Sequence, residues 1–412
     1  MASVQLYDTT LRDGAQKEGI SFSVADKLAI TRKLDELGVH FIEGGWPGSN
    51  PKDVEFFASA KDLSLRNSEL VAFGSTRQSK TRAEDDANLK SLAGVGVKTI
   101  TIVGKSSELQ VTRVLETTLE ENLSMIADSI GYLRAKGLTV FFDAEHFFDG
   151  FKTNSGYALR CLEAAAGAGA GCLVLCDTNG GSLPDEIAVA IRAVRERTAV
   201  ALGIHAHNDG GLAVANTLAA VAGGASQVQG TINGYGERCG NADLCSIIPG
   251  LKLKMGVDCI TDAGLAKLTE VSHYISEVAN LALDASLPYV GSSAFSHKGG
   301  LHVSGQAKWS ESYQHTDPAR VGNRSRVVVS ELSGRGNIIY KAREMGLDLP
   351  SRGEQVKRLL EQVKSLESRG FQYENAGASF ELLVRRAEPD YRPSFELVDF
   401  MVVVERRRRL PT

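Results

Sequence analysis

The chain has no apolar run approaching the roughly 20 residues of a membrane-spanning helix. Its start, Met1-Ala2-Ser3-Val4-Gln5, passes straight into strand-like residues, with no basic-then-apolar leader. Charge of one sign is equally scarce: 46 Lys and Arg against 50 Asp and Glu leave a net charge of −4. That balance gives no global electrostatic case for nucleic acid or a membrane surface as partner. Cysteine is sparse. The six thiols, Cys161, Cys172, Cys176, Cys239, Cys245 and Cys259, contain no C-x-x-C pair and read as free cysteines of a reducing compartment, the cytosol. Cys172 and Cys176 fall four apart in a strand-like run, so they share a face and are expected to be buried as small hydrophobes.

What remains is an ordinary globular composition, 43% apolar and 23% charged over 412 residues. The length exceeds the about 250 residues of a single (β/α)8 barrel. Strand-like runs recur at Val4–Tyr7, His40–Glu43, Leu70–Phe73, Thr99–Val103, Thr139–Asp143, Cys172–Cys176, Ala201–His205 and Gln227–Gln229. Amphipathic stretches lie between them, such as Ala25–Leu37, Leu115–Ala135, Gly156–Ala166, Asp185–Glu196, Leu212–Val221 and Leu244–Met255. Leu37-Gly38 and Lys136-Gly137 supply helix stops just before the next strand. Eight strand-helix units are the count of an α/β (β/α)8 TIM barrel over residues 1–258. A doubly wound open sheet would want fewer strands and a glycine-rich fingerprint after the first, which residues 8–14 do not supply. Residues 259–390 read as a mainly helical accessory region, with one long helix over Leu265–Leu283, a Gly/Ser/His-rich mobile segment over Gly291–Gly305, and a charged helix over Ser351–Arg369. Residues 391–412 hold a β-type run, Ser394–Val404, and the basic tail Arg406–Arg409, a solvated end rather than a nucleic-acid patch.

In a barrel the functional groups gather at the C-terminal ends of the strands. There the sequence places Arg12 and Asp13, then Glu43, Asp143 and Glu145, Asp177-Thr178-Asn179, His205 and His207, and the loop Gly230–Asn241. His205 and His207 are two apart on one strand, so both imidazoles point the same way. Closure makes strands 7, 8 and 1 neighbours and brings Asp13 and Asn241 within reach of that pair. Two nitrogens with Asp and Asn oxygens suit Mn2+, Mg2+ or Zn2+ better than a thiolate site would. The competing reading is a chance pair of polar strand residues. The loop Gly230–Gly240, with four glycines in eleven residues, reads either as a backbone cradle for an anion, with Gly234 and Gly236 as substrate contacts, or as an ordinary barrel loop needing positive φ.

Leu6-Tyr-Asp-Thr-Thr-Leu-Arg-Asp-Gly-Ala-Gln16, His205-Ala-His207-Asn-Asp and Gly234-Tyr-Gly-Glu-Arg-Cys-Gly-Asn241 resemble the three signatures of the 2-isopropylmalate, homocitrate and citramalate synthases. That family lies in the DRE-TIM metallolyase superfamily with hydroxymethylglutaryl-CoA lyase. Phe41-Ile-Glu-Gly-Gly-Trp-Pro-Gly-Ser-Asn-Pro51 most resembles the citramalate branch. The resemblance implies a Claisen condensation of acetyl-CoA with a 2-oxo acid, pyruvate on that branch, then thioester hydrolysis, in isoleucine biosynthesis. It implies Asp13, His205, His207 and Asn241 as ligands of a divalent metal. Arg12 would stand beside the oxygen that becomes negative, Glu43 would orient Arg12, and Glu145 would be an active-site carboxylate. Thr178 would bind the 2-oxo acid carboxylate.

The same resemblance implies acid-base work for His302, with Tyr313 nearby, and a homodimer in which these two complete the partner's site. Here the pattern departs from the commoner family motif: Gly300-Leu-His-Val-Ser-Gly305 keeps the histidine but not the acidic residue two positions on. Isopropylmalate or homocitrate synthesis with another 2-oxo acid, and C–C cleavage of the lyase kind, stay open. A catalytically silent barrel scaffold is opposed by the intact Arg12, Asp13, His205 and His207. The run at 394–404 is expected to be the opening strand of a regulatory domain that is otherwise missing.

Overall fold

The computed structural model describes residues 3–347, 349, 353–374, 376–388 and 390–403. Its core is a closed barrel of eight parallel strands: β1 (Gln5–Asp8), β2 (Phe41–Gly45), β3 (Glu69–Ser75), β4 (Thr99–Lys105), β5 (Thr139–Glu145), β6 (Cys172–Asp177), β7 (Ala201–Ala206) and β8 (Gln227–Gly230). Tyr7 on β1 pairs with Phe41 on β2 and with Gln229 on β8, which closes the ring. Each strand begins within one residue of its sequence expectation and runs one or two residues further. The extensions matter because they carry Lys105, Glu145 and Asp177 on the ladder's last rungs. β4 runs on through Gly104, where only glycine fits, since a Cβ there would lie 2.8 Å from the Phe142 ring.

Alternation divides the strand residues between two cores. Tyr7, Val71, Phe141, Cys172, Val174 and Cys176 pack together on the inward face, and both cysteines are buried as expected. Leu6, Ile42, Ile100, Phe142, Leu173, Leu175, Ile204 and Val228 face the surrounding helices. Burying each such side chain fully contributes about 1.5–3 kcal/mol. The first helix, Val24–Leu37, starts in a capping box in which Ser23 and Asp26 bond each other's backbone, and it stops at left-handed Gly38. Gly137, at φ +81°, follows the Leu119–Ala135 helix in the same way.

Several helical expectations are corrected. The run Leu115–Ala135 begins only at Leu119, capped by the Thr118 side chain. The long helix expected over Leu265–Leu283 is two helices, Asp262–Leu265 and Leu268–Val278, and left-handed Asn280 follows the second. The segment 291–305 is not an open loop, because Gly300–Lys308 is helical and Ser296–His297 pairs with Arg326–Val327. No strand forms over 394–403, where Val398 is 91% and Met401 86% exposed. A strand needs a neighbour for its backbone N–H and C=O groups, and none pairs with this run among the described residues. The Arg406–Arg409 tail lies outside them.

The chain forms two compact units, 1–295 with 316–324, and 296–315 with 325–412. The second has its own core of Val329, Ile338, Val356, Leu359, Val363, Phe380 and Val384. These come largely from helices Arg335–Glu344, Glu354–Glu367 and Gly377–Arg386. Among the described residues, no helix is long and apolar enough to cross a membrane.

Asp8 ends β1 fully buried, and its carboxylate accepts from the N–H and the hydroxyl of Thr10. The Thr10 hydroxyl in turn accepts from Ile232 N–H, tying the loops after β1 and β8 together. Burial outweighs these donors and pushes the Asp8 carboxyl up to about 7. The folded chain therefore holds this proton to higher pH than the unfolded chain, and stability is lost as pH rises from about 4 to about 7. The thermal midpoint should fall between about pH 4 and about pH 7, less steeply in Asp8→Asn. Equal slopes in the two proteins would refute this.

Candidate active site

Arg12 and Asp13 sit in the turn after β1, just before the short helical turn Gly14–Gln16. β7 delivers His205 and His207 on one face. Asp13 Oδ2 lies 3.1 Å from His205 Nε2, and the two Nε2 atoms are 3.3 Å apart. One donor atom from each of the three residues lies within 4.8 Å of the others, and all three side chains are buried. His207 is bridged through its backbone to Asn241. The Asn241 amide nitrogen donates to the Tyr235 carbonyl, which leaves its buried Oδ1 without a partner, as is His207 Nδ1, among the described residues. Two imidazole nitrogens and a carboxylate oxygen gathered this closely, with a buried carbonyl oxygen on the backbone-bridged Asn241 left without a donor, are groups a divalent cation would satisfy.

The charges here respond to one another. Burial would raise the Asp13 carboxyl, but Arg12, His205 and His207 together hold it well below the usual carboxylate range. Burial would lower His205, yet its hydrogen bond and charge interaction with Asp13 raise it. His207 falls to about 4, through burial and then the neighbouring His205. Burial raises Asp143 to about 7.

Arg12 is held on two sides. Its Nε donates to Glu43 Oε1 at 2.5 Å, and its guanidinium lies 3.8 Å from the centre of the Phe73 ring. The Tyr7 hydroxyl donates to Glu43 Oε2 at 2.6 Å and meets Thr101 Oγ1 at 2.7 Å. Glu43 is thus wholly buried and acts on Arg12 from beneath. The buried Lys27–Asp53 pair anchors the end of β2, where Asp53 accepts from Trp46 N–H. Trp46 then meets Phe73 edge to face.

Arg12, Asp13, Trp46, Phe73, Asp143, Glu145, Thr178, His205, His207 and Arg238 are among the residues lining a cavity of about 250 Å3. Glu145 bonds Lys105 at 2.6 Å. The Thr178 hydroxyl accepts from the N–H of His146, a residue in the left-handed region at φ 57°, and its own proton has no acceptor among the described residues. Arg238 clamps the loops by donating to the Thr178 carbonyl and, in a fork, to Asp209.

The HMGL-like family model matches residues 3–275, and the "Homocitrate synthase post-HMGL domain-like" model matches 289–370. The (R)-citramalate synthase of Geobacter sulfurreducens is 53% identical over 407 residues, 99% of this chain and 77% of that protein. That of Aquifex aeolicus is 50% identical over 412 residues, 99% and 78% of the two chains. The chain belongs to the (R)-citramalate synthases of the HMGL-like family. The solved HMG-CoA lyase of Bacillus subtilis shares the fold, with a TM-score of 0.58 and 20% identity over 69% of this chain and 96% of that one.

The structure brings Arg12, Asp13, Glu145, Thr178, His205 and His207 of this family member to one cavity, with Glu43 behind Arg12. Gly234 and Gly236 adopt φ of +64° and +154°, and a Cβ on Gly236 would lie 2.2 Å from the Asn241 amide nitrogen. They let the loop fold against Asn241. His302 and Tyr313 belong to the second unit and stack on each other with ring centres 4.3 Å apart. Tyr7, Trp46, Lys105, Gln229 and Arg238 are site residues without a sequence expectation. Of these, Lys105 carried a usable signal, a lysine at the C-terminal end of a barrel strand.

Proposed function

We propose that this chain condenses acetyl-CoA with pyruvate and hydrolyses the resulting thioester, releasing (R)-citramalate and CoA. The observation that carries the reading is the buried Asp13–His205–His207 cluster opening beside Arg12 into a small cavity, in a chain about half identical to (R)-citramalate synthases. These relatives do not favour the isopropylmalate, homocitrate or lyase alternatives. Asp13, His205, His207 and Asn241 would hold the cation, Mn2+, Mg2+ or Zn2+, which supplies Lewis acidity toward the 2-oxo acid when bound.

The protein groups divide the remaining work. The Thr178 hydroxyl proton faces the 2-oxo acid carboxylate. Glu145, paired with Lys105, and His302 are the candidates for taking the methyl proton of acetyl-CoA. The carbanion so formed attacks the 2-oxo carbon. Arg12 turns the unused part of its fork toward the carbonyl oxygen that becomes negative. A homodimer in the cytosol belongs to the same proposal, with Tyr313 the neighbour of His302.

The test is thiol release from acetyl-CoA with pyruvate, 2-oxobutyrate, 2-oxoisovalerate and 2-oxoglutarate, with and without chelator. Pyruvate should give the highest kcat/KM, and chelator should stop release. A clear preference for 2-oxoisovalerate would overturn the substrate, and chelator-insensitive turnover would overturn the cation.

A further inference from the structure

We infer that Gln229 and Asp143 are positioning residues that fix which nitrogen of His205 faces the Asp13–His207 cluster. This inference rests on the cation reading above. His205 Nε2 points at Asp13 and His207, while its Nδ1 lies 2.8 Å from Gln229 Oε1. A neutral imidazole carries one N–H and one lone pair, and the partner of one nitrogen settles the role of the other. A glutamine amide could present either its oxygen or its NH2 to His205, so the choice must be made at its far end.

There Gln229 Nε2 lies 3.1 Å from Asp143 Oδ1. The carboxyl oxygen accepts, so the amide turns its NH2 to Asp143 and its oxygen to His205. That oxygen takes the Nδ1 proton, so the ring stands with Nδ1 toward Gln229 and Nε2 toward Asp13 and His207. Gln229 and Asp143 are both buried, so water does not relieve a reversed amide. Reversal would set oxygen against oxygen at one end and N–H against N–H at the other. His205 and Gln229 are register partners on β7 and β8, whereas Asp143 reaches them across the barrel interior from β5. His207 has no counterpart, its Nδ1 being without a partner among the described residues.

The test uses the metal-free full chain, with Mn2+ and Zn2+ affinities measured by chelator competition. Gln229→Met and Asp143→Leu should each weaken metal binding about 10- to 100-fold. In the double variant Asp143→Asn with Gln229→Glu, the new amide donates to the new carboxylate, whose second oxygen accepts from Nδ1–H. Affinity should then return to within about threefold of the unsubstituted chain. Unchanged affinity in Gln229→Met and Asp143→Leu would overturn the lock, as would a double variant that binds no better than Gln229→Met. Asp13→Asn separates the two levels. If it too leaves affinity unchanged, the cation site itself is wrong. If it abolishes binding while Gln229→Met does not, only the lock fails.

Discussion

Removal of metal by chelator should abolish citramalate formation, and His207→Ala should make the loss permanent. Loss of Lewis acidity removes several kcal/mol of transition-state stabilisation, and at about 1.4 kcal/mol per tenfold this predicts at least about a thousandfold fall in kcat. Mn2+ should restore the stripped parent but not His207→Ala. The substitution should spare the fold, because His207 Nδ1 has no partner among the described residues and Nε2 contacts only the cluster. Circular dichroism of the variant should therefore match the parent. Turnover of His207→Ala within tenfold of the parent, at equal metal concentration, would remove His207 from the centre.

Arg12→Lys carries the second large effect. The arginine spends its Nε on Glu43, lies against Phe73, and still has its terminal nitrogens available. A lysine ammonium is one point of donors and cannot hold Glu43 and a developing oxyanion together. Loss of one placed oxyanion donor typically costs about 100- to 1,000-fold, so kcat should fall at least about 100-fold with metal content unchanged. Near-normal kcat would show that Arg12 serves only the Glu43 pair. Tyr7→Phe probes the same chain from below, removing one donor to the buried Glu43 carboxylate while leaving Arg12 in place. It should show a smaller fall in kcat than Arg12→Lys.

Most of the barrel was legible in the chain because a strand advertises itself locally. Alternation in runs such as Leu70–Phe73 and Thr139–Asp143, with glycine stops after the helices, marks each stave without knowledge of its neighbours. The same period of two put His205 and His207 on one side. Closure order then brought Asp13 beside them. The misread parts are those where a neighbour decides. Gly104 resembles a strand end until the Phe142 ring is seen filling the space its missing Cβ leaves. The run at 394–403 has strand residues but no strand to pair with among the described residues. The helix expected through Leu265–Leu283 has the right apolar period and is still broken between Leu265 and Leu268.

The amino-acid sequence by itself determined the stave count, the inward parity of each strand and the residue types at the mouth, because these depend on spacing along one chain. Only the tertiary structure decided which polar groups touch. Tyr7 with Glu43 and Thr101, Lys105 with Glu145, and Asp143 with Gln229 are separated by 36 to 94 residues and meet on the inside of a closed ring. Their hydrogen bonds require a fixed distance and direction between side chains on different staves, and that is set by barrel closure and register rather than by any local pattern.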